Sequence, residues 1–323
     1  MTRISLAAAS AAALLLFAAP SFAATIFVSN EKDNTITVLN SDTLEIVKTI
    51  KVARRPRGIV LSPDFKELFV AAGDGDIMDV IDTKTLEVSR HLESGPDPEL
   101  MAIDPKGEVI YIANEDDSLV TIMDIKSGDI LAEVPVGVEP EGMGVSPDGK
   151  ITVATSESTS MAHVIDNASN KLIANVLVDS RPREAKFTPD GKELWVSSEV
   201  GGSISVIDPK TWKVTKKITF EVPGVRPEQL QPVGMDFARD GAIVFVALGP
   251  SNRVAVIDTK TKEVLQYILV GQRPWHGEVG PDGKKYYVAN GLTNDLTVID
   301  VETLKAEKSV PVGRLPWGVA IMP

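Results

Sequence analysis

The chain has no cysteine and only three histidines. The first absence excludes disulfide frameworks, thiolate metal sites, thiol nucleophiles and CxxCH haem attachment, and the second leaves imidazole chemistry to His91, His163 and His276 alone. Aromatic residues are scarce at 5%. GxSxG elbows, HExxH helices and phosphate-cradling glycine loops are missing, so the glycines read as turn markers. Positive charge is in short supply as well: 33 Lys and Arg face 45 Asp and Glu, a formal charge of −12. That balance opposes a phosphate backbone and makes nucleic acid a poor partner. What is present is ordinary for a folded protein, with 43% hydrophobic and 24% charged residues in 323, which excludes disorder as the basis of function.

Met1 to Ala23 carries a basic start at Arg3, the apolar run Leu14-Leu15-Leu16-Phe17 and the small-residue pattern Ser21-Phe22-Ala23. It reads as a secretory signal cut after Ala23, because the apolar run is shorter than the roughly 20 residues a bilayer span needs. The mature chain, residues 24–323, is expected in a bacterial periplasm with no further membrane span, and without Arg3 its formal charge becomes −13.

Three markers repeat in one register. A strand ending in Asp or Asn recurs at Asn40, Asp82, Asp124, Asp166, Asp208, Asp258 and Asp300, with steps of 42, 42, 42, 42, 50 and 42. A proline recurs with the same steps at Pro56, Pro98, Pro140, Pro182, Pro232, Pro274 and Pro316, and Pro-Asp-Gly or a degenerate form follows it in most copies. A period of about 40–45 residues is that of four-stranded propeller blades, and short alternating pieces such as Glu67–Ala71 and Lys285–Ala289 behave as strands. The first copy starts at a second strand, Thr25 to Ser29, and the last ends on an inner strand, Gly318 to Met322. The sequence therefore predicts one all-β domain, a seven-bladed β-propeller of four-stranded antiparallel blades, with the two termini sharing the closing blade. The excess of eight residues, around Glu221 to Gln231, is a loop insertion before the fifth of the proline-led strands.

Tyr287-Val288-Ala289-Asn290, Tyr111-Ile112-Ala113-Asn114 and Phe27-Val28-Ser29-Asn30, each leading to a Val-Ile-Asp strand or its variant, resemble the YVTN seven-bladed β-propeller repeats. The signal segment, the length, and the runs Arg273-Pro274-Trp275-His276-Gly277 and Arg314-Leu315-Pro316-Trp317-Gly318 are similar to periplasmic propellers associated with pyrroloquinoline quinone (PQQ)-dependent alcohol catabolism. The resemblance implies an accessory binding protein of that process. A periplasmic quinoprotein dehydrogenase or cytochrome is then a partner to expect.

In such a blade the loop entering the inner strand and the loop between the second and third strands share one face, the mouth of the channel. The residues flanking the repeat prolines form a sectored ring there. Asp97, Glu99, Glu139 and Glu141 make an acidic sector; Arg55 and Arg57 flank it on one side, Arg181 and Arg183 on the other. Arg273, Trp275, His276 and Trp317 complete the ring. Two readings stand side by side: salt bridges between neighbouring loops, or a site for a flat anionic ligand such as PQQ, held by arginine forks and a tryptophan face. The acidic second-to-third loops, with Glu31, Asp74, Asp76, Glu115, Asp116, Asp117, Glu157 and Glu199, read first as a solvated face and, as the sharper alternative, as a docking surface for a basic partner such as a cytochrome or dehydrogenase. No metal site and no catalytic residue is assigned. The alternatives are a lactonase-like or lactonising enzyme using His276 with Glu99 or Glu141, and a single-stranded-DNA-binding propeller, which the charge disfavours.

Overall fold

The computed structural model describes residues 23–323; the targeting segment read at Met1–Ala23 lies outside them except for its last residue. The strands, numbered β1 to β28 in chain order, form seven four-stranded antiparallel sheets. Six blades are consecutive, and the seventh has the order β28 (Pro316–Met322), β1 (Thr25–Asn30), β2 (Thr35–Asn40), β3 (Ile46–Lys51). Among the described residues no helix is long and apolar enough to cross a membrane. The inner strands all begin at a repeat proline: β4 (Pro56–Leu61), β8 (Pro98–Ile103), β12 (Pro140–Val145), β16 (Pro182–Phe187), β20 (Pro232–Ala238), β24 (Pro274–Val279) and β28.

The repeat markers are turn chemistry. The Asp or Asn that ends each third strand accepts backbone N–H bonds from two or three residues on, as Asp82 Oδ1 does from Lys84 and Thr85 at 3.0 and 2.8 Å and Asn40 Oδ1 does from Asp42 and Thr43. The following left-handed residue, such as Leu86 or Leu304, completes the hairpin into the outer strand with a bulge in the pairing. A second rule lies at the prolines. In six blades the residue before the proline, among them Arg55, Asp97, Arg181 and Arg273, has φ between 45° and 60°. That conformation costs energy for a side chain other than glycine. At four entries it is held by an Asn or Asp from the preceding blade, as Asn34 Oδ1 accepts the Arg55 N–H at 3.0 Å and Asn252 Oδ1 the Arg273 N–H at 3.0 Å.

Apolar residues from adjoining blades pack face to face, and a cluster fills each of the seven interfaces; Phe69 and Met78, for example, meet Met101, Ile110 and Ile112. Nearer the axis the backbones themselves converge. The inner-strand ladder shifts register just after each proline, freeing the N–H of the second residue on. In three blades a second-strand hydroxyl captures it and passes the bond to the next blade. Ser29 Oγ accepts from Gly318 N–H at 2.9 Å and donates to the Arg57 carbonyl at 2.7 Å, which ties the closing blade to β4. Ser197 does the same between Glu184 N–H and the Val233 carbonyl, at 3.0 and 2.6 Å. The insertion around Glu221 to Gln231 is anchored to the flank, with Val222 and Val225 on an apolar cluster and Leu230 buried.

Glycine is required where this approach is tightest. A Cβ on Gly142 would lie 2.1 Å from the Arg183 carbonyl oxygen of the next blade. Gly142→Ala is expected to lower stability by about 1–3 kcal/mol through overpacking, measured by urea denaturation. Gly280→Ala, whose Cβ would meet nothing closer than 3.5 Å, is expected to change it little.

Candidate functional site

The mouth is built on the strained entries. Arg55, Asp97, Arg181 and Arg273 have left-handed backbone, and the residues just after the prolines, among them Arg57, Glu99, Glu141 and Arg183, stand beside them at the mouth. The two sets meet. Arg55 is bound to Asp97 and Glu99 of the next blade; Arg57 reaches Glu99 at 3.0 Å and Glu31 of the previous blade at 3.2 Å. Arg183 is 3% exposed and lies between Glu141, at 2.9 Å, and Glu157. Arg181 reaches Glu157 at 2.9 Å and Glu199 at 3.3 Å, and Arg273 reaches Glu199 at 2.7 Å. The ring arginines are thus ion-paired, with carboxylates of their own blade and of nearby blades. Five arginines contact eight carboxylates, Glu31, Asp74, Asp97, Glu99, Glu115, Glu141, Glu157 and Glu199.

The tryptophan faces are engaged as well. The Arg273 guanidinium lies 4.2 Å from the Trp275 ring centre and that of Arg183 5.6 Å away, while Arg57 lies 5.9 Å from Trp317. Trp317 is fully buried and packs beside Trp275. Asp97, Glu99 and Glu115 place oxygens within 4.8 Å of one another, the one such triple among the described residues, and Arg55 contacts all three. Glu115 has its pKa pushed up to about 8 by burial and by the charges of Glu99 and Asp97.

His276 differs from its sequence-based placement. It does not stand at the open mouth beside Trp275. Its ring packs 4.0 Å from Trp317 and lines the channel, with neither nitrogen hydrogen-bonded. Burial, then the charges of Arg183, Lys186 and Arg57, hold its pKa well below the usual imidazole value. Among the described residues no carboxylate is hydrogen-bonded to either His276 nitrogen. His163 is structural: one nitrogen meets Asn175 at 2.6 Å and the other accepts the Gly137 N–H at 3.0 Å. His91 lies on an outer strand against Asp79.

A second polar layer went unread in the sequence. Below His276, Lys186 Nζ donates to Asp236 at 2.7 Å and to the Met235 carbonyl at 3.2 Å, flanked by Glu184 and Glu278. Withdrawal from solvent raises Glu184 to about 7; the same effect, with the Asp236 charge, raises Glu278 to about 8. These residues stand two and four places after the proline, and reading those positions as well as the immediate neighbours would have found them.

Breaking the mouth network should be costly. Arg183→Leu leaves Glu141 and Glu157 without their buried partner and is expected to destabilise by about 3–5 kcal/mol, with part recovered in Arg183→Leu/Glu141→Gln, by urea denaturation. A pH dependence follows from Glu115, Glu184 and Glu278. Their raised pKa values mean that the folded state holds protons the unfolded chain releases, so their contribution is complete below about pH 4.5 and is lost as pH rises through 7 to 8. Stability should therefore fall across that window, and the triple Gln variant should flatten the slope.

No curated protein matches the chain in sequence. Among solved structures it is similar to Kuenenia stuttgartiensis hydrazine synthase, at 21% identity and a TM-score of 0.79 over 85% of this chain and 92% of that one. A functionally unknown protein from Desulfotomaculum acetoxidans DSM 771 superposes with a TM-score of 0.79 at 17% identity, over 92% of this chain and 98% of that one. The dihydro-heme d1 dehydrogenase NirN in complex with DHE superposes at 0.69 and 17% identity, over 94% of this chain and 76% of that one. At these identities the likeness is one of fold. In fold the chain is a seven-bladed β-propeller, and over residues 3–116 its sequence matches the family described as YNCE-like beta-propeller.

Proposed function

We propose that this protein is a periplasmic, non-catalytic docking protein of PQQ-dependent alcohol oxidation, whose mouth face receives a basic protein partner. One observation carries the choice of a protein over a small anion: every ring arginine at the mouth is already engaged by carboxylates, and the carboxylates outnumber them. A planar tricarboxylate such as PQQ would have to displace those partners and the arginine on Trp275. A basic surface meets no such competition. Asp74, Asp76, Asp116 and Asp117 are exposed around the acidic sector, and neither Asp116 nor Asp117 forms an ion pair among the described residues. The periplasmic setting and the alcohol-oxidation process rest on the signal-like first 23 residues and on the resemblance of the Arg-Pro-Trp and Leu-Pro-Trp entries. The partner class that fits is a basic c-type cytochrome or the quinoprotein dehydrogenase itself.

Docking of this kind accelerates encounter more than it deepens affinity, and it is screened by salt. Stopped-flow association with a basic c-type cytochrome and with a quinoprotein alcohol dehydrogenase tests it. The on-rate of one of them is expected to fall steeply toward about 0.15 M salt, and by about tenfold in Asp116→Lys/Asp117→Lys. Rates indifferent to salt and to the charge reversal would overturn the proposal.

A further inference from the structure

The inner strands carry a pattern deeper than the mouth. Two residues after each proline stand Gly58, Leu100, Gly142, Glu184, Gly234, His276 and Gly318; four residues after stand Val60, Ala102, Gly144, Lys186, Asp236, Glu278 and Ala320. Every polar side chain in these two layers comes from three adjoining strands, β16, β20 and β24. The other four strands contribute only glycine, alanine, valine and leucine. The channel thus has one charged wall and one small, apolar wall, and between them lies a cavity of about 370 Å³.

The cavity opens away from the mouth. Its lining runs from His276 and Trp317 down to Pro147, Thr188 and Pro189, which lie at the turns between inner and second strands. The upper end is closed by Trp317 and the arginine layer.

The polar wall is incomplete as it stands. Three carboxyl groups, Glu184, Asp236 and Glu278, face one ammonium, Lys186, which bonds to Asp236. Asp236 also accepts the Val279 N–H at 2.7 Å. Glu184 accepts only the Met235 N–H, and among the described residues neither Glu184 nor Glu278 forms an ion pair. Arg57 and Arg183 above are matched by their own carboxylates. His276 is 9% exposed, its two ring nitrogens have no partner, and it lines this cavity. The Tyr286 hydroxyl behind Gly277 is buried and unpartnered too.

Buried polar groups without partners are unfavourable unless something completes them. The missing element carries positive charge and N–H donors for two carboxylates, offers apolar surface to the opposite wall, and fits the cavity. A bare metal ion does not satisfy this, because the possible ligand atoms of Glu184, Glu278 and His276 do not converge within 4.8 Å. An anion is opposed by the excess of carboxylates.

We propose that the channel of this propeller is a binding site for a small organic cation, an alkylammonium compound, which enters from the face opposite the mouth and places its ammonium group against Glu184 and Glu278. Its carbon chain then lies along Ile59, Met101 and Val319, and neutral His276 supplies one donor and one acceptor to any further polar group the molecule carries. This is independent of docking at the mouth, because the two sites share no residue and lie on opposite sides of the arginine layer.

Calorimetric titration of the full chain with n-butylammonium, n-butanol and butyrate tests it. The expected result is saturable binding of the ammonium alone, tightening between about pH 6 and about pH 8.5 as the two carboxyls release their protons. Glu184→Gln and Glu278→Gln, checked for folding by near-ultraviolet circular dichroism, should each weaken binding about tenfold or more, while Asp116→Lys/Asp117→Lys leaves it unchanged. A second measurement needs no variant: the His276 ring resonances should shift on addition of n-butylammonium and not of butyrate. Equal binding of n-butanol, absence of ammonium binding, retention of affinity in both Gln variants or loss of it in the mouth variant would each overturn the proposal.

Discussion

Seven inner strands must converge on one axis, and their close approach governs the rest of this molecule. At the radius where they meet, a single Cβ in the wrong place collides with the neighbouring carbonyl, so four of the seven blades carry glycine two residues after the proline. The same crowding forces the ladder out of register beside the proline and leaves an N–H to be captured by a hydroxyl of the adjoining strand. It also dictates charge. Side chains that leave the entries in a left-handed conformation can run across the mouth to the neighbouring entry, as Arg55 does to Asp97 and Arg273 to Gln231. Arginine and carboxylate in alternating sectors make that encounter favourable, and like charges in those places would oppose closure of the ring.

This has a functional consequence. A ring of arginines and tryptophans in a sequence invites the reading of an anion pocket, but Arg55, Arg57 and Arg183 are held by the carboxylates of adjoining blades, and Arg181, half-exposed, is paired through Nε alone. Arg183 is the clearest case, buried between Glu141 and Glu157 and stacked toward Trp275. What the mouth presents outward is the surplus, the carboxylates of the second-to-third loops. Charge of one sign spread over several blades suits a broad protein surface better than a compact ligand.

The periodic part of this architecture was legible because it rests on local chemistry. An Asp that closes the turn after every third strand and a proline that opens every inner strand are written in the residues themselves, and their spacing counts the blades. The closing blade could be inferred because the first and last copies were complementary fragments. The partners of Arg55 and Arg57 were legible in kind, since Asp97 and Glu99 stand at equivalent positions one blade on, and Glu141 stands one blade before Arg183; Arg181 pairs instead with Glu157 and Glu199 of the second-to-third loops. Other features were not. The left-handed entry at Arg55 or Arg273 depends on an Asn of the preceding blade, some 21 residues away in sequence. His276 was placed by its neighbour Trp275, yet the ladder shifts register between Pro274 and Gly277, and the ring packs against Trp317 and lines the channel. Glu184, Lys186, Asp236 and Glu278 were missed because they belong to three different blades and become a group only when the strands are wrapped around a common axis.

The central claim is that the mouth arginines are internal to the fold and that the face works through its surplus of negative charge. Calorimetric titration of the purified chain with PQQ, with and without calcium, tests this most directly, alongside the Arg181→Ala/Trp275→Ala variant. The account predicts no saturable heat in either protein. Saturable binding by the natural chain that disappears in the variant would contradict it, and would make the ring a ligand site after all.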